Sequence, residues 1–115
     1  MDIVKKKISF DFDNTLELEW IQETLFIPLS QIYEILIITT RSSERENRVV
    51  WEVVKKLNIP EKNVYFTNHE LKSEFVDKLG CIMHFDDDIV DVHHINTECV
   101  CKAVLIDYKI NNVNR

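Results

Sequence analysis

Ile35-Leu36-Ile37-Ile38, set between Glu34 and the hydroxyls of Thr39 and Thr40, is the segment that most restricts the fold. Successive strand residues point to opposite faces. A run with no polar alternation therefore fits a strand covered on both faces, as in a parallel sheet between two layers of helices. Any fold that leaves one face of this segment in water exposes two large aliphatic side chains.

The flanking sequence supplies the other elements of such a sheet. Residues 3–12 read as a first strand, with Ile8 and Phe10 in the core and the lysines at its exposed entry. Residues 20–31 read as a helix, with Ile21, Leu25 and Leu29 at helical spacing and Pro28 predicting a kink or an early end. Ser43-Glu44-Arg45-Glu46 has the form of a capping box, opening a helix that carries Val49, Val50, Val53, Val54 and Leu57 and ends at Asn58-Ile59-Pro60. A third strand follows at residues 64–67, then a helix over 70–79 closed by Gly80, the only glycine of the chain. A fourth strand at 81–85, a short helix at 88–95 and a last strand at 103–106 complete the series. Residues 107–115 read as a flexible tail, frayed over 111–115.

Strands alternating with helices imply right-handed crossovers, and hence a single Rossmann-like α/β/α domain with a mostly parallel five-stranded sheet. At 115 residues the chain suffices for one core and one domain, spanning 1–115. No apolar run approaches the length of a membrane span. The first residues lack the order of a secretory signal, and the odd set of thiols, Cys81, Cys99 and Cys101, suits a reducing compartment. The expected setting is the cytoplasm. A formal net charge of −6 argues against broad nucleic-acid affinity.

Sites in parallel sheets form at the carboxyl ends of strands. Asp11 and Asp13 follow the first strand, Thr39 ends the second, Lys72 opens the helix after the third, and Asp86 and Asp87 follow the fourth. All the polar candidates fall on one rim. Asp11 and Asp13, one residue apart on an extended segment, should point the same way, and carboxylates that close need a cation or a proton between them. Oxygen donors without a His or Cys pattern favour a hard cation, here Mg²⁺. Cation, ammonium and hydroxyl around a carboxylate make a receptor for a phosphoryl group. An EF-hand reading fails because Leu16 stands where the loop needs Gly and Gln22 where it needs Glu. His93, His94, Cys99 and Cys101 make a poor zinc set, since adjacent histidines on a helix diverge.

In this order and spacing the chain resembles the haloacid dehalogenase-like (HAD) phosphohydrolases. Asp11-Phe12-Asp13-Asn14-Thr15-Leu16 matches their first motif, Thr39 in Ile37-Ile38-Thr39-Thr40-Arg41 the second, Lys72 the third, and Phe85-Asp86-Asp87 with Asp91 the fourth. The resemblance implies Asp11 as nucleophile and Asp13 as acid/base, with Thr39 and Lys72 completing the catalytic set. It implies Mg²⁺ held by Asp11, the Asp13 carbonyl and Asp87, with Asp86 and Asp91 as direct or outer partners. Asn14, Thr40 and Arg41 are candidate substrate contacts, while Asp88 reads as an N-cap. One helix separates the first two strands, and one helix and one strand precede Lys72. That leaves no room for a cap domain, so the site should be open to a phosphorylated small molecule, nucleotide end or phosphoprotein. The rival is a catalytically silent HAD-fold binding or regulatory protein.

Overall fold

A computed structural model describes residues 4–107. Ile3 of the expected first strand and all but the first residue of the expected 107–115 tail lie outside the described residues. Five strands form one sheet: β1 (Lys7–Phe10), β2 (Glu34–Thr39), β3 (Val64–Phe66), β4 (Cys81–Asp86) and β5 (Lys102–Leu105). Their order is β3-β2-β1-β4-β5, and every neighbouring pair is parallel.

The aliphatic run splits by parity, as a strand covered on both faces must. Ile35 and Ile37 join Ile8, Phe10 and Phe85 in one core cluster, whereas Leu36 and Ile38 join Val76, Ile95 and Cys101 in another. Each side chain of the run is at most 6% exposed. Burial on that scale stabilises by about 1.5–3 kcal/mol per side chain relative to an exposed position. Phe10 and Phe85 stack across β1 and β4 with ring centres 4.9 Å apart.

The helices are α1 (residues 19–30), α2 (Arg48–Lys56), α3 (Ser73–Val76) and α4 (Ile89–Glu98). Ile21 and Phe26 of α1 and Val50 and Val54 of α2 cover the first face, and Val76 of α3 and Ile95 of α4 cover the second. From β1 the chain steps through β2 to β3 on one side, then returns past β1 to β4 and β5 on the other. Right-handed crossovers running in opposite directions require opposite faces for their helices, giving the three layers. The reversal falls between β1 and β4, whose carboxyl ends frame the crevice where open α/β sheets bind ligands. No domain is inserted between β1 and β3. Among the described residues no helix is long and apolar enough to cross a membrane.

Three local expectations need correction, and at Pro28 one of the two expected outcomes does not occur. The first strand stops at Phe10 rather than Phe12, because residues 12–16 fold into a tight turn. Pro28 does not end its helix. In the wide turn just before it, Ile27 N–H bonds the Gln22 carbonyl five residues back, and the helix continues to Ser30. This loosening accommodates a ring that would clash with the carbonyl four residues earlier in a regular helix. The capping box at Ser43–Glu46 opens no helix: α2 begins at Arg48, and residues 43–46 are exposed loop. Asn47 bonds the carbonyls of Ser42 and Arg45, both at 3.0 Å, which holds the segment as a loop. The helix expected over 70–79 is regular only at Ser73–Val76.

Gly80 has φ +78°, and a Cβ there would meet nothing within 4 Å. The sole penalty of Gly80→Ala is then the left-handed backbone. We expect a loss of about 1–2 kcal/mol by urea unfolding with no change in the site. A larger loss would mean that side-chain crowding matters as well.

Candidate active site

Asp11 extends the β1–β4 ladder by one bond, its N–H donating to the Phe85 carbonyl at 2.8 Å. The chain then turns sharply, closed by Leu16 N–H to the Asp11 carbonyl and Glu17 N–H to the Phe12 carbonyl, both at 3.1 Å. Phe12 and Leu16 are fully buried and anchor the two sides of the turn. Asn14 sits between them at φ +57°, a left-handed conformation that Asn tolerates. Its N–H donates to Glu17 Oε1 at 2.7 Å. Asp11 and Asp13 are thereby presented on the rim by an apolar clamp, and both line the same small hollow.

Lys72, at the start of α3, is buried with its ammonium among carboxylates. Its Nζ donates to Asp11 Oδ1 at 2.7 Å and Asp86 Oδ2 at 2.6 Å, with Asp91 Oδ2 at 3.9 Å. Burial alone would lower the lysine pKa. Asp11 and Asp86 outweigh it and hold the ammonium above its usual range. Burial pushes the Asp11 carboxyl well above the ordinary carboxylate range, with Lys72 pulling the other way and Asp86 adding to the rise. For Asp86 burial is outweighed by the hydrogen bond from His84 and the charge of Lys72, so its pKa is lowered. The two carboxylates on one ammonium thus differ in character: Asp86 is the settled anion, and Asp11 is the one whose charge the fold resists.

The hollow above this network has a volume of about 100 Å³ and is lined by Asp11, Asp13, Asn14, Thr40, Lys72, Asp86, Asp87, Asp88 and Asp91. Asp11, Asp86 and Asp87 each offer an oxygen within 4.8 Å of the others. This all-oxygen, anionic donor set fits a hard divalent cation such as Mg²⁺. It also distinguishes the members of the acidic triple. Asp86 and Asp87 belong to the cluster, whereas Asp88 caps α4 by accepting Val90 N–H at 2.9 Å. Asp91 stands outside the three-carboxylate group. Its Oδ1 accepts the Lys72 backbone N–H at 3.3 Å, so it holds the lysine's loop in place.

Other expected residues are placed differently from their motif reading. Thr40, not Thr39, lines the acidic hollow; Thr39 is fully buried, and its hydroxyl accepts the Arg41 N–H at 3.3 Å. The side chain of Asp13 is gripped by Arg41, through Nε to Oδ2 at 2.9 Å and Nη2 to Oδ1 at 2.7 Å. The guanidinium lies 5.3 Å from the centre of the Phe12 ring. The Asp13 pairing raises the already high pKa of Arg41.

Neither Ser9 nor His84 is a site candidate from the sequence, which marks His84 only as a packed or edge histidine of the fourth strand. They face each other in register across β1 and β4, both fully buried. Ser9 Oγ lies 2.7 Å from His84 Nδ1, and His84 Nε2 lies 2.7 Å from Asp86 Oδ2. With Asp86 ionised, Nε2 carries the proton and donates, and the Ser9 hydroxyl donates to Nδ1. Burial lowers the His84 pKa, consistent with a neutral ring. The one available signal was a polar residue at the same depth of two otherwise apolar strands.

Fold and site together define a Rossmann-like α/β protein with a lysine-bridged carboxylate cluster at its topological switch point. Set against models of known protein families and against curated proteins, the sequence matches none.

Proposed function

We propose that this protein is an uncapped, HAD-like phosphomonoester hydrolase that requires Mg²⁺ and acts through an aspartyl-phosphate. The observation that carries the reading is the Lys72 ammonium lodged 2.7 Å from Asp11 and 2.6 Å from Asp86, beside Asp87, in one small hollow. A fully paired structural lysine would need no third carboxylate and no opening to solvent. Mg²⁺ held by Asp11, Asp86 and Asp87 would neutralise phosphoryl oxygens so that an anion can approach them.

Asp11 attacks phosphorus, and the bond from phosphorus to the leaving oxygen breaks. Asp13, once it leaves the Arg41 fork and takes up a proton from solvent, gives that proton to the leaving oxygen, then takes one from the water that attacks the aspartyl-phosphate, releasing phosphate and restoring Asp11. Lys72 balances the charge on Asp11 and on the transferred group, and Asp91 keeps Lys72 in place. Asn14 and Thr40, on the wall of the hollow, are positioned to contact the phosphoryl group. The free thiols Cys81, Cys99 and Cys101 support a cytoplasmic setting.

The rival, a catalytically silent binding protein of this fold, draws on the Arg41 fork that occupies both oxygens of Asp13. Turnover decides between them. Phosphate release from p-nitrophenyl phosphate and a panel of natural phosphomonoesters is expected with Mg²⁺ and should stop on chelation. Inactivity across the whole panel would leave the binding protein as the better reading.

A further inference from the structure

Beside the acidic hollow lies a second and larger one of opposite character. It has a volume of about 430 Å³ and is lined by Arg41, Ser42, Arg45, Glu46, Asn47 and His69. In a chain of net charge −6, three of the four arginines fall between residues 41 and 48. Arg45 and His69 are exposed and have no ion-pair partner among the described residues. The one carboxylate in the lining, Glu46, accepts the Arg48 N–H at the start of α2, and its charge also acts on Arg41.

This wall is built rather than incidental. His69 N–H donates to the Thr40 carbonyl at 2.8 Å, Asn68 N–H to the Arg41 carbonyl at 3.2 Å, and Ser43 N–H to Asn68 Oδ1 at 3.0 Å. The loops after β2 and β3 are thus tied to each other. Asn68 and His69 adopt φ of +56° and +70° in succession, with no glycine to ease the turn. The two hollows share a partition: Thr40 faces the acidic one, Arg41 lines the basic one, and the Arg41–Asp13 pair spans between them.

We propose that the basic hollow is a subsite for a second phosphate, carried on the leaving group of the phosphomonoester. The chemistry follows from the side chains. Arginine forks bind phosphate oxygens in pairs, and Arg45 and His69 have charge or donors to spare. Its place beyond Asp13, the residue that faces the leaving oxygen, assigns it to the departing part of the substrate. Such a phosphate also gives Arg41 an alternative partner and frees an oxygen of Asp13. The substrate class is therefore a phosphomonoester with a phosphate neighbour, as in a nucleoside bisphosphate or a phosphorylated nucleic-acid end. This orientation rests on the phosphatase reading above, whereas the anion site itself does not.

Binding is measured by calorimetry on Asp11→Asn protein with Mg²⁺, which removes turnover from the readout. The probes are adenosine 3′-monophosphate, adenosine 3′,5′-bisphosphate and a 3′-phosphorylated dinucleotide. At least one two-phosphate probe should bind about tenfold or more tightly than the monophosphate. Which of the two does so identifies the source of the second phosphate. Arg45→Gln combined with His69→Ala should reduce the advantage to about twofold or less, with an unchanged unfolding midpoint. Equal affinity for all three probes, or an advantage that survives the double substitution, overturns the subsite. Protein that shows the preference while the wild type turns over no phosphomonoester sinks the phosphatase reading alone. Turnover of p-nitrophenyl phosphate with no two-phosphate preference sinks the subsite alone.

Discussion

Asp11→Asn lowers Mg²⁺-dependent phosphomonoesterase activity by about 10⁴-fold or more, yet the protein unfolds no earlier than wild type. The rate loss follows from chemistry. A carboxamide has no anionic oxygen to form an acyl phosphate, and removing a nucleophile that works as part of a unit has effects of this order. The stability follows from the electrostatics of the site. Asp11 is 5% exposed, and burial raises its pKa well above the carboxylate range despite Lys72.

A carboxyl group with a raised folded pKa favours folding fully only below its unfolded value of about 3.9. That contribution is lost as pH rises through the folded value, so at neutral pH the ionised form weighs against the fold. Asparagine carries no such charge, and Asp86 still pairs with Lys72. In thermal unfolding without Mg²⁺ the variant should match or exceed wild type at pH 7, and the margin should shrink on acidification. Retained activity would show that Asp11 is not the nucleophile. A lower unfolding midpoint at pH 7 would show that its charge supports the fold.

Lys72→Met should do the reverse, weakening the protein as well as silencing it. Removing one partner of a buried ion pair costs about 3–5 kcal/mol, because the remaining charge has no compensation. Here two carboxylates, at 2.7 and 2.6 Å, lose the same ammonium. For a domain with total stability of about 5–15 kcal/mol, that loss is a large part of the whole. Mg²⁺ should restore part of it, since a cation among Asp11, Asp86 and Asp87 takes over the neutralisation. Urea titrations with and without Mg²⁺ measure both effects. A loss below about 1 kcal/mol would place Lys72 among weakly coupled surface charges and undo the charge-balance role given to it.

Much of the scaffold was legible in the residues because its signals are local. The unbroken run Ile35–Ile38 required cover on both faces, and strand–helix alternation required parallel pairing. Gly80 marked the left-handed turn just before β4, and Asp88 the start of α4. Where a local signal failed, a longer-range interaction prevailed. Ser43–Glu46 has the chemistry of a helix start. However, Ser43 is tied to Asn68, 25 residues away, and Asn47 holds the segment as a loop, so α2 opens at Arg48. Pro28 is a separate case: it signalled a kink or an early end, and a local adjustment, the wider turn before it, absorbed the missing bond.

The sequence by itself determined which residues reach the rim. Strand ends follow from hydrophobic pattern: Asp11, Asp13, Asp86 and Asp87 stand at or just past those ends, and Lys72 stands where the helix after β3 begins. Only the tertiary structure decided how they pair. Lys72 meets Asp11 across 61 residues, Arg41 meets Asp13 across 28, and Ser9 meets His84 across 75. It also set Thr40 rather than Thr39 against the hollow, and it separated Asp86 and Asp87 from the capping Asp88. Periodicity is a property of neighbours along the chain, and it gives a side chain its face and its end of the sheet. Partner choice depends on distances of a few ångströms between segments far apart in sequence, and those exist only after the sheet has closed.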